Sequence, residues 1–300
     1  MNKLKDEELI EELRIRMKEK TDALNELKSL NEKLKIVNKK LEESEAMKTH
    51  FISNITNEIV NPFASILGLS KNILSVNKEN WKKVFSMVAM IHTEAFSLDF
   101  QLKNVFATAK IEAGEIYPEI GRVDIKNLVK SVTDSFRIEA QKKQVSFELV
   151  FDFPECDGST FQFKTDPEKL KLILSNIVNN ALKFSFKDSK ITVTVWSEMR
   201  VMFISVFNQG EVISEEYKQL IFDRFERIDT NITSVNRGHG LGLSIISSLL
   251  ELLGGNIGLQ SDKETGTTFT IEIPEISEEE DSFKSSLNGN EIFFEDNQVF

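Results

Sequence analysis

Between residues 6 and 47 the chain has no glycine and no proline, and its apolar residues recur at intervals of three and four. Ile10, Met17, Leu24, Asn31 and Asn38 fall at one seam position, and Leu13, Lys20, Leu27, Leu34 and Leu41 at the other. That heptad predicts a coiled coil, and asparagines at one seam position favour a parallel, in-register dimer at some cost in stability. The apolar face continues through Met47, Phe51, Ile55 and Ile59 into Asn61-Pro62. Proline disfavours helix at the residue before it, so the helix should kink at Asn61. Phe63, Ile66, Leu67 and Leu69 resume the face, and Asn77 to Asn80 reads as a loop. A second helix is predicted from Trp81 to Ala113, with Gly114 as its stop. Two long amphipathic helices in a hairpin do not bury their faces alone; two copies do, as a four-helix bundle.

After Gly114 the pattern shortens. A helix is predicted over about 126–142, and alternation of Val145, Phe147, Leu149 and Phe151 predicts a strand to Phe153. Residues 154–159 read as a loop. Asp166-Pro167-Glu168 is a helix start, with Asp as N-cap and Pro in the first turn. That helix carries Leu170, Leu172, Ile173, Ile177, Val178 and Ala181 to Phe184. Strands follow at Ile191–Trp196 and Met202–Phe207, then a short helix from Ser214 through Phe222 and Phe225. A further helix ends near Gly254-Gly255, and two more strands cover Asn256–Gln260 and Thr267–Ile273. The alternation predicts an α/β sandwich, helices over a mixed sheet. Residues 275–300 are acidic and poorly patterned, and read as a disordered tail.

Composition narrows the function. The 300 residues carry 37 basic and 48 acidic side chains, a formal charge of −11, which argues against nucleic acid as a main partner. The single cysteine, Cys156, cannot form an internal disulfide and points to a reducing compartment. No apolar run approaches the roughly 20 residues that span a bilayer, and the charged N-terminus does not read as a signal peptide. The expected location is cytoplasmic, with no membrane contact by this chain.

The candidate chemistry centres on Gly238-His239-Gly240-Leu241-Gly242-Leu243. A glycine-rich turn opening a helix aims several N–H groups at one spot, which suits phosphate. Asn180 lies four residues after Asn176, and Lys183 three after Asn180, so the three share a helix face. Amide oxygens suit Mg²⁺ and an ammonium suits a polyphosphate.

Across residues 48–274 the chain resembles the sensor histidine kinase family. Lys48 to Pro62 resembles the box around the phosphoacceptor, and Ile111-Glu112-Ala113-Gly114 the end of the dimerisation hairpin. Asn176 to Phe184 is similar to the N box, Asn208-Gln209-Gly210 to the first glycine box, Ile221 to Phe225 to the F box, and Gly238 to Leu243 to the second glycine box. Gly254 to Ile257 and Gly266-Thr267-Thr268-Phe269 complete the likeness to the family's ATP-binding domain. The resemblance implies a dimeric hairpin bundle followed by a Bergerat-type ATPase. It implies Asn180 as the Mg²⁺ ligand, with Asn176 and Lys183 near the phosphates. It also implies a lid over ATP at 226–238 flanked by Phe222 and Phe225, with Arg224 or Arg227 as candidates to meet the γ-phosphate.

Two departures stand out. The family's phosphoacceptor is a His followed by Glu; here the position is Asn57, followed by Glu58. The lone pair of an amide nitrogen is delocalised into its carbonyl, so Asn57 cannot form the phosphoramidate that imidazole can. Glu58 is thereby left without the proton it would accept, and Val60 stands where a basic residue is usual. His50, His92 and His239 remain, and structural roles are favoured for each. In the first glycine box the usual aspartate is Asn208, which accepts the adenine amino hydrogen without charge assistance, and Val212 replaces the second glycine.

The expectation is a multidomain chain: coiled coil 1–47, helical hairpin 48–115, ATPase domain 116–274 and tail 275–300. Its cofactors would be ATP and Mg²⁺. It would pair with itself, or with a related kinase, through coiled coil and hairpin, and meet a response-regulator receiver domain. Four functions stay open: a regulatory pseudokinase without autophosphorylation, a receiver phosphatase using Asn61 and Glu58, a kinase with a mutated acceptor or one acting on a partner in trans, and a non-enzymatic scaffold.

Overall fold

The computed structural model describes residues 2–76, 80–153, 161–218, 220–222, 241–262 and 265–276, with side chains of 2–10, 12 and 40–58 outside the description. The chain divides into two units, residues 1–56 and 57–300. The first is helical from Asn2 onward, on helix α1 (Asn2–Leu74). Its described seam residues Met17, Leu24, Leu27 and Leu34 are exposed in the single chain.

The second unit begins on the same helix. Helix α1 continues through Asn61 and Pro62, although proline disfavours helix at the residue before it. A proline forfeits one main-chain bond, and the uninterrupted turns on either side carry the helix past it. Helix α2 (Trp81–Ala113) ends on Gly114 in the left-handed conformation (φ 67°), as its sequence predicts.

The remaining elements form a sandwich. Strand β1 (Gly121–Asp124) leads to α3 (Ile125–Ser135) and α4 (Arg137–Lys143), then β2 (Ser146–Asp152) and β3 (Gln162–Thr165). Helix α5 (Pro167–Phe184), β4 (Lys190–Glu198) and β5 (Val201–Asn208) follow, then α6 (Gly242–Leu252), β6 (Asn256–Asp262) and β7 (Gly266–Pro274). The main sheet has the order β2-β4-β5-β7-β6, parallel between β2 and β4 and antiparallel elsewhere. Strands β1 and β3 form a separate antiparallel pair. Ile191, Val193, Met202, Ile204, Ile271 and Ile273 are buried from one sheet face, and Ile173, Ile177, Ile245 and Leu249 from the helices.

Three expectations are corrected. The helix predicted over 126–142 breaks at Phe136, whose buried ring packs edge-on against Phe96 and Phe100 of α2. The short helix from Ser214 reduces to turns and a 3-10 helix at Leu220–Phe222, anchored by the buried Ile221. The first residues of the predicted tail are ordered against the sheet: Glu275 N–H donates to the Arg200 carbonyl at 2.8 Å, and Ile276 is buried, while 277–300 lie outside the described residues. The predicted loop at 154–159 lies outside the described residues.

Candidate functional site

Helix α5 is fixed at both ends. Asp166 is its N-cap, accepting the N–H groups of Glu168 at 2.9 Å and Lys169 at 3.0 Å. The same buried carboxylate accepts the Glu119 N–H at 2.6 Å and pairs with the Lys169 ammonium at 2.8 Å, so it also tethers the connection from α2. At the other end Lys143 Nζ donates to the carbonyls of Leu182 at 2.8 Å and Lys183 at 2.6 Å. A cation there complements the helix dipole. Burial lowers the Lys143 pKa, and the nearby charge of Glu211 opposes that shift.

Between these ends α5 presents Asn176, Asn180 and Lys183. Asn176 is 3% exposed and Asn180 and Lys183 are half-buried, with the Lys183 ammonium 5.1 Å from the Phe184 ring centre. Asn176 Nδ2 donates to the Leu172 carbonyl at 2.9 Å and to Asn104 Oδ1 of α2 at 2.7 Å.

The first glycine box is fastened to the end of α5. Ser185 and Gly210 form an isolated β-bridge, and Phe186 N–H donates to the Gln209 carbonyl at 2.8 Å. A Cβ on Gly210 would stand 2.0 Å from the Phe184 carbonyl oxygen, so only glycine fits without moving main chain. Asn208 is buried at the end of β5. Beside it, Thr267 Oγ1 lies 2.7 Å from Ser261 Oγ, its register partner, and Ser261 Oγ accepts the Ile213 N–H at 3.0 Å. These two hydroxyls tie the segment after the first glycine box to β6 and β7.

From the second glycine box, Leu241 is buried and Gly242 opens α6. A Cβ on Gly242 would meet Asn176 Oδ1 at 2.9 Å. Among the described residues α6 has no side-chain cap and no acidic residue in its first turn, the arrangement that suits an anion at a helix N-terminus.

The structure brings Asn176 to Gly242, and the Phe184 main chain to Gly210 and Asn208, with Thr267 opposite Asn208 in the sheet register. Asn180 lies between Asn176 and Phe184 on α5. Phe222 is half-buried in the 3-10 helix, and Asn61 is exposed on α1. Phe225, Gly238, Gly240, Arg224, Arg227, His239 and the 226–238 segment lie outside the described residues, as do the side chains of Asn57, Glu58 and His50. In donor type and charge, the amide oxygen of Asn180, the ammonium of Lys183 and the N-terminus of α6 fit a magnesium-bound polyphosphate. Sequence reasoning passed over Asn104, Lys143 and Ser261. Only Ser261 left a trace there, as a hydroxyl at a buried position in an alternating strand.

Residues 165–277 match the family described as histidine kinase-, DNA gyrase B-, and HSP90-like ATPase. Sensor protein EvgS of Escherichia coli K12 is 29% identical over 261 residues, covering 85% of this chain and 21% of that protein. The circadian input-output histidine kinase CikA of a Synechocystis strain is 28% identical over 234 residues, covering 76% of this chain and 31% of that protein. The chain thus spans about a fifth to a third of the length of these relatives. The crystal structure of full-length ShkA in complex with AMPPNP superposes with a TM-score of 0.53 at 22% identity, covering 78% of this chain and 46% of that one, a likeness of fold. Residues 165–277 thus form a histidine-kinase-type ATPase domain behind a helical region, and proteins named as sensors and histidine kinases align along most of the chain.

Proposed function

We propose that this chain binds Mg-ATP at the α5–α6 end of the sandwich, does not phosphorylate itself at the family's usual position, and acts in two-component signalling as a regulatory pseudokinase. The observation that carries the reading is Asn57, an amide where phosphoryl transfer needs a nucleophilic ring nitrogen, in a chain whose ATPase half matches its family from residue 165 to 277. When bound, Mg-ATP supplies an activated phosphoryl group. Asn180 holds the metal through its amide oxygen, Lys183 neutralises phosphate charge, and Asn208 accepts from the adenine amino group. Phe222 and Phe225 border the covering segment, and Gly238, Gly240 and Gly242 let phosphate approach the main chain. The coiled coil at 1–47 and the hairpin at 48–115 pair this chain with a second copy or a related kinase, and a receiver domain is the downstream partner. The exposed seam residues of α1 support that pairing. Binding of a non-hydrolysable ATP analogue tests the first half: it should require Mg²⁺ and weaken at least tenfold in Asn180→Leu, and Mg²⁺-independent binding would contradict the assignment.

A second reading has its own support. Asn61 stands four residues after Asn57 on α1 and is exposed, the place from which an amide can orient water toward a receiver's aspartyl phosphate. Loss of that phosphate accelerated by this chain, and abolished by Asn61→Ala, would establish it; acceleration that survives Asn61→Ala would exclude it.

A further inference from the structure

Helix α2 meets the sandwich through Thr93, Phe96, Phe100 and Asn104. Phe136 lies with its ring 5.2 Å from Phe96 and 6.0 Å from Phe100, and Lys142 Nζ donates to Thr93 Oγ1 at 3.0 Å. Within this contact Asn104 is 7% exposed and bonded to the buried Asn176. The orientation of Asn176 follows from chemistry. The Leu172 carbonyl only accepts, so it selects the Nδ2 end, and both amide hydrogens are used, one on Leu172 and one on Asn104. The remaining end, Oδ1, lies 2.9 Å from the point where a Cβ on Gly242 would stand, the space that the glycine leaves free.

We propose that Asn104 is a positioning residue for the first turn of α6, which Gly242 opens. It fixes the Asn176 amide, Asn176 braces Gly242, and α2 thereby organises the first turn of α6, where the glycine stretch meets its helix. Without the Asn104 acceptor, a buried Nδ2 hydrogen loses its partner, which drives Asn176 to turn toward another acceptor or water. Gly242 then loses the atom packed against it. Docking of α2 and anion binding at the stretch are linked in the same direction, and by reciprocity an anion held there tightens α2 docking.

The brace is independent of what the stretch binds; only its second readout rests on the nucleotide reading. The test compares the full chain with Asn104→Leu, which removes the acceptor, and Asn104→Asp, which keeps one. Amide hydrogen exchange at Ile245 and Ile246 should accelerate about tenfold in Asn104→Leu, with β5 amides unchanged, and stay near the parent rate in Asn104→Asp. Affinity for a non-hydrolysable ATP analogue with Mg²⁺ should fall about fivefold or more in Asn104→Leu only, the lower range of allosteric couplings. Unchanged exchange at Ile245 and Ile246, or exchange raised uniformly across the sandwich, would overturn the proposal. A parent chain that binds no analogue would refute the nucleotide reading, while the exchange data would still decide the brace.

Discussion

Met17, at 70% exposure, and Leu27, at 62%, are as apolar as Ile173 and Ile204, which are wholly buried. The first pair lies on a lone helix, the second in a sandwich whose helices and sheet cover each other. Burying a large aliphatic side chain is worth about 1.5–3 kcal/mol, so a helix exposing Met17, Leu24, Leu27 and Leu34 leaves several kilocalories for a partner to recover. The sandwich covers its aliphatic core and also buries polar groups, among them Asp166, Asn176, Asn208, Ser261 and Thr267. One region leaves its apolar residues exposed in the single chain, the other covers its own.

The strongest way to break that comparison is in the sandwich core. Leu174→Ala removes a fully buried side chain and should cost about 2–5 kcal/mol, read as a lowered denaturant midpoint with an unchanged slope. A loss below about 1 kcal/mol would mean that the core is not closed as described. Next comes the seam. Leu27→Asp should weaken self-association at least tenfold, or about 1.4 kcal/mol, in sedimentation equilibrium, while sandwich melting stays within a degree or two. A fall in sandwich melting comparable to that of Leu174→Ala would contradict the separation of roles.

The smallest effect concerns Lys143. Its folded pKa is lowered, first by burial, against the opposing charge of Glu211. Below that lowered pKa both states are charged and the folded state bears the full cost. Between it and the ordinary lysine value the unfolded chain holds more protons, so stability rises with pH, and above both values the cost is gone. Relative to Lys143→Met, the parent should therefore gain stability as pH climbs through the alkaline range. A constant difference across that range would refute the shift.

Much of this was legible in the sequence because it rests on local rules. The start of α5 follows from Asp166-Pro167, the end of α2 from Gly114, and the strands β4 to β7 from alternation. Strands β1 and β3 were not legible: at four residues each, Gly121-Arg122-Val123-Asp124 and Gln162-Phe163-Lys164-Thr165 are too short to alternate visibly. The break at Phe136 was hidden because its cause is tertiary, two phenylalanines of α2 about 40 residues earlier in the chain. Asn104 was hidden for the same reason, since nothing around it in α2 signals an amide partner on α5. In the candidate site, the spacing of Asn176, Asn180 and Lys183 was readable, whereas the buried engagement of Asn176 required the fold.

On the proposed function, the chain is an ATP-binding machine without its phosphoacceptor. The most direct measurement is label transfer from γ-labelled ATP in the presence of Mg²⁺, comparing this chain with Asn57→His. The account predicts no protein-bound label on the parent and acid-labile label on Asn57→His. Label on the parent would contradict it and turn attention to His50 and His92 as acceptors.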